Sequence, residues 1–80
     1  MKLKKNVALS ESGFLFDALN GVSYSVNETG LKILNLIRKG EDENAIRKAL
    51  TDEYDVDPAE AEKDLFDFIS QVSSFQMLET

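Results

Sequence analysis

The stretch Val26-Asn-Glu-Thr-Gly30 divides this chain of 80 residues into two regimes. Up to Val26 apolar residues recur at every second position, the period of a half-buried strand, whereas Leu31, Ile33, Leu34 and Ile37 beyond it recur at helical spacing. Asn27 makes the change. Its short side chain suits a helix N-cap, Glu28 adds negative charge to the first turn, and the apolar stripe stops at Gly40 behind Arg38 and Lys39. Gly30 lies inside this helix at a cost of about 1 kcal/mol relative to alanine. It either lets the backbone approach the sheet closely or is a tolerated glycine of the first turn.

Working back from Asn27, Val22, Tyr24 and Val26 share one face of a strand and Ser23 and Ser25 the other. Asn20-Gly21 joins that strand to a run in which Phe14, Phe16 and Ala18 alternate with Leu15, Asp17 and Leu19. Asn-Gly between two alternating runs predicts a tight hairpin, because both residues tolerate positive φ. Glu11-Ser-Gly13 reads as a second turn, preceded by Val7 and Leu9 in alternation with Ala8 and Ser10. The first thirty residues thus predict a three-stranded meander.

Working forward, Glu41 or Asp42 opens a second, short helix carrying Ala45, Ile46, Ala49 and Leu50, with Tyr54 expected to pack behind it. Asp57-Pro-Ala-Glu60 combines an acidic N-cap, proline at the first helical position and an acid at the third. It opens the longest helix, roughly Pro58 to Phe75, on which Ala61, Leu65, Phe68, Val72 and Phe75 form one stripe. Phe66 and Ile69 widen that stripe, either as part of a broad core or as the wall of a partly open groove. Gln76-Met-Leu-Glu79 extends as a short tail or strand. Strands first and helices after predict an α+β fold, a three-stranded antiparallel sheet followed by three helices. A small sheet beside a long terminal helix leaves a free edge, where another chain can bind.

Composition narrows the function. Residues 1 to 80 make one domain, and a chain this short buries only roughly 60% of its unfolded surface, which leaves little material for a deep catalytic pocket. It has no Cys and no His. That removes disulfides, zinc-thiolate sites and the commonest general base, so neither an enzyme, a metal site nor a cofactor is expected. The basic start, Lys2, Lys4 and Lys5, precedes an apolar stretch far too short for a signal peptide, and no segment is long enough to span a membrane. These features predict a cytoplasmic protein. The net charge of -6 lies wholly beyond Gly30, where twelve acids face six bases. Phosphate contacts need a basic face, so nucleic acid is not an expected partner.

The succession Val26-Asn-Glu-Thr-Gly30, Leu31-Lys-Ile-Leu34, Ala49-Leu50, Glu53-Tyr-Asp-Val-Asp-Pro58, Ala61-Glu-Lys-Asp-Leu65 and Phe68-Ile69 resembles the PqqD family. This is the small protein of pyrroloquinoline quinone biosynthesis, whose fold recurs as the RiPP recognition element of ribosomal peptide-modifying systems. The resemblance runs from Leu3 to Leu78 and resides in the order of these segments. It departs from many relatives at Ser73-Ser-Phe-Gln-Met-Leu78, where a Gly-Leu ending is commoner.

The resemblance implies a winged helix-turn-helix-like fold and a non-catalytic peptide chaperone. Members bind the leader segment of a precursor peptide as an added strand on the third strand's edge, against the third helix. They deliver it to a modifying enzyme, often a radical SAM protein. Carried over by position, the edge falls on Val22, Ser23, Tyr24, Ser25 and Val26, and the facing helix contributes Lys63, Phe66, Asp67, Ile69, Ser70 and Ser73. Backbone hydrogen bonds would supply affinity and side-chain pockets at alternate positions selectivity. Two other classes use the same topology: a winged-helix nucleic-acid binder and a dimerising module. The first meets Glu60, Glu62, Asp64 and Asp67 on the third helix, which repel phosphate.

Overall fold

The amide of Gly30 donates to the Asn27 side-chain oxygen at 2.8 Å, so the helix starts where the period changes. In the computed structural model, which describes residues 1–79, the elements run β1 (Lys2–Leu3), β2 (Val7–Leu9), β3 (Phe14–Asp17), β4 (Val22–Ser25), α1 (Glu28–Arg38), α2 (Glu43–Tyr54), α3 (Pro58–Ser74) and β5 (Leu78–Glu79). β2, β3 and β4 form the antiparallel meander in that order, with Leu9 opposite Leu15 and Leu15 opposite Tyr24. The three helices follow, each capped by an acid or amide at the expected position: Asn27, Asp42 and Asp57.

The second hairpin differs from the tight Asn-Gly turn that the sequence suggests. β3 stops at Asp17, which pairs with Val22, and Ala18 to Gly21 form a four-residue loop. The reason is the Asp17 side chain. Its carboxylate, only 2% exposed, accepts from the Asn6 amide at 2.7 Å and the Asn20 amide at 2.8 Å, and from the Leu19 backbone N–H at 3.0 Å. These bonds curl the chain before Asn20 can act as a hairpin corner, and of the Asn-Gly pair only Gly21 takes a positive φ, 70°. The same amides, Asn20 first and Asn6 second, hold the Asp17 carboxyl below the ordinary carboxylate range despite its burial.

The core joins Leu15 of the sheet to Ile33, Leu34 and Ile37 of α1, Ile46 and Leu50 of α2, and Ala61, Leu65 and Val72 of α3. Three expectations are corrected here. α2 is no shorter than α1, and Tyr54 at its end is exposed rather than packed behind it, because Asp55 takes a left-handed φ of 51° and turns the chain away. The close neighbour of Gly30 is α3, not the sheet: a Cβ there would lie 2.8 Å from the Phe68 ring. Of the two forms the sequence allows for the tail, it takes the strand. Gln76, at φ 59°, reverses the chain after α3, Met77 becomes fully buried, and β5 pairs antiparallel with β1, Leu3 opposite Leu78.

Candidate functional site

β4 is an edge strand, and its register decides which backbone groups it offers. The Val26 N–H donates to the Gly13 carbonyl at 2.8 Å, and Tyr24 and Val22 lie opposite Leu15 and Asp17. Backbone direction alternates along an antiparallel ladder, so Val22, Tyr24 and Val26 direct their hydrogen-bonding groups toward β3. Ser23 and Ser25 direct theirs outward. Their small side chains leave the approach open.

Beside this edge runs a groove. Tyr24, Ser25 and Val26 form one wall, Phe68, Gln71 and Phe75 of α3 the other, and Leu15 and Val72 the floor. The Tyr24 and Phe75 rings stack across it, centroids 4.3 Å apart and planes 13° from parallel. An extended peptide on the edge would therefore find backbone partners on one side and an aromatic trough beneath alternate side chains. The lining is uncharged. Asp67 lies one turn before Gln71 and makes no salt bridge among the described residues.

The residues carried over to α3 do not gather at this groove. Phe66 and Ile69 line a second depression with Glu43, Asn44, Arg47, Glu62 and Leu65, between α2 and α3. Ser73, four residues after Ile69, follows the same flank, while Lys63 and Ser70 are exposed and lie about half a turn from the Ala61, Leu65 and Val72 stripe. Asp67 is exposed and does not line the groove either. Of the helix residues that do meet the edge, the sequence marks Phe68 and Phe75 as core stripe and does not single out Gln71. A signal for them exists in the sequence: they repeat at three- and four-residue spacing along one border of the stripe.

Among the described residues no helix is long and apolar enough to cross a membrane. A family model described as Coenzyme PQQ synthesis protein D (PqqD) matches residues 7–74. Comparison with curated protein sequences gives no match. Two solved structures are similar over nearly the whole chain. One, TbiB1 in complex with the TbiA(beta) leader peptide, is 27% identical with a TM-score of 0.89, over 99% of this chain and 95% of that one. The other, lasso peptide synthetase B1 complexed with the leader peptide, is 24% identical with a TM-score of 0.86, over 99% and 96%. The latter likeness is one of fold.

Proposed function

The chain belongs to the PqqD family, and from that premise we propose that it is an adaptor that binds the leader segment of a ribosomally made precursor peptide on the edge of β4 and delivers it to a modifying enzyme. The observation that carries this reading is the open edge at Ser23 and Ser25 beside the Tyr24–Phe75 trough. Strand addition there satisfies the outward backbone groups of β4 and buries alternate peptide side chains between β4 and α3. Ser23, Ser25 and the backbone of Val22 to Val26 provide the edge; Phe68, Gln71 and Phe75 provide the trough. The adaptor does no chemistry on the peptide. Affinity comes from the ladder, and selectivity comes from what fits above Phe75.

Chemical-shift mapping tests the assignment, with leader peptides of ribosomally made precursors titrated into the labelled protein. Perturbations are expected on Val22 to Asn27 and on Phe68 to Phe75. Shifts confined to Glu41 to Tyr54, with β4 and α3 silent, would sink it.

A further inference from the structure

The outer face of the sheet carries two large aromatic side chains that stand exposed among the described residues: Phe14 is 52% exposed and Phe16 43%. Pairing places Ala8, Phe16 and Ser23 in one row across the three strands and Phe14 and Ser25 in the next. All five are exposed, and none is charged, on a chain in which 30% of residues are charged. The small neighbours leave the two rings standing above the sheet. The opposite face already serves the core and the trough, since Leu15 and Tyr24 point there.

This outer face is continuous with the leader edge. A strand added to β4 puts the residues opposite Ser23 and Ser25 on the same side as Phe14 and Phe16. Four residues on each of three strands cover roughly 200 Å², and a fourth strand widens that by about a third, against about 800 Å² per partner in a stable interface. So small a patch does not hold a second copy of the chain by itself. It suits a transient contact strengthened by the leader's own side chains. We propose that the outer sheet face, built on Phe14 and Phe16, docks the peptide-modifying enzyme, and that the enzyme reads it together with the bound leader as one surface. This inference rests on strand addition at β4 as proposed above. It makes presentation conditional: the empty adaptor offers half of the surface.

The test compares the wild-type protein with a Phe14→Thr/Phe16→Thr double variant, threonine being chosen to keep strand propensity. Ala8→Lys, which leaves both rings and the β4 edge intact, is a second variant. The probes are the leader peptide that binds in the shift mapping above and the purified enzyme that modifies its precursor. Leader affinity, read by fluorescence anisotropy, is expected to stay within about twofold of wild type in both variants, since neither touches the edge or the trough. Enzyme affinity, read by biolayer interferometry, is expected to be at least about tenfold tighter with leader than without, and each variant to lose about tenfold with leader present, a change of about 1.4 kcal/mol. Unchanged enzyme affinity in both variants overturns the proposal, and so does enzyme binding indifferent to leader. Loss of leader affinity in the double variant would mean that the leader itself covers the face, and a wild-type dimer abolished by the variants would mean that a second copy does; either overturns it. A wild-type protein that fails to bind leader at all instead removes the strand-addition reading, a result the anisotropy arm shows by itself.

Discussion

At the scale of single residues the site is a matter of where backbone groups point. Proline at Ser23 or Ser25 removes an outward donor and leaves the β3 ladder intact, so leader binding should be lost while the fold survives. Proline at Val22 or Tyr24 removes a donor that β3 needs and should lower the melting temperature instead. A peptide titration beside a thermal melt for each variant reads the alternation, and uniform behaviour at all four positions would show that no strand adds here. Asp17 acts on the fold rather than on the peptide. Asn20 and Asn6 lower its folded pKa, so its contribution is complete above the ordinary carboxylate range, near about 3.9, and is lost as pH falls through the lower folded value. Asp17→Asn should therefore be less stable than wild type at neutral pH, with a gap that narrows as pH falls below the ordinary carboxylate range. Melts across that range decide the matter; a constant gap would mean that packing, not charge, makes the difference.

At the scale of elements, helix ends and helix flanks carry different information. The Asp57 carboxylate accepts the Ala59 N–H at 3.0 Å and begins α3. Asp57→Ala should cost about 1 kcal/mol of stability and leave leader affinity near its wild-type value. Denaturant unfolding reads the first quantity, and an unchanged midpoint would move the start of α3 elsewhere. The two flanks of α3 separate in the same way. Phe66 is 70% exposed on the α2 side, so Phe66→Ala should change stability by no more than about 0.5 kcal/mol and leader affinity hardly at all. Phe75→Ala removes the ring stacked on Tyr24 and should lower both. Greater loss of leader binding from Phe66→Ala than from Phe75→Ala would shift the site to the α2 side of α3.

At the scale of the whole molecule, the two ends of the chain close the core. Among the described residues β1 and β5 pair two residues deep, the Lys4 N–H adds a bond to the Met77 carbonyl at 2.9 Å, and Met77 sits fully buried in the core. Met77→Ala should cost about 2 to 5 kcal/mol, a large share of the stability of so small a domain, as urea unfolding would show. A cost below about 1 kcal/mol would mean that the closure is ornamental. Nothing in Gln76-Met-Leu-Glu79 marks this role, because a two-residue strand has no period to detect and its partner lies at the opposite end of the chain. By contrast, Asn27, Asp42 and Asp57 mark the helix starts in the sequence, since a cap is satisfied within three residues. Alternation in Val22 to Val26 likewise gives the strand and its two faces, while its place at the edge follows from the family resemblance and the sheet order. What local pattern leaves open is every choice made between elements. The stripe on α3 is periodic, but only packing decides that Phe68, Gln71 and Phe75 turn to β4 while Phe66 and Ile69 turn to α2. Gly30 is visibly a place of close approach, but that its neighbour is the Phe68 ring depends on how α1 crosses α3. Asp17 reads as one polar residue in an alternating run until Asn6 and Asn20 arrive beside it from two different segments. The amino-acid sequence thus determines the three meander strands, the three helices and their order, which rest on interactions a few residues long. The tertiary structure alone decides which flank of α3 faces the β4 edge, because side chains distant in sequence compete there for one buried space.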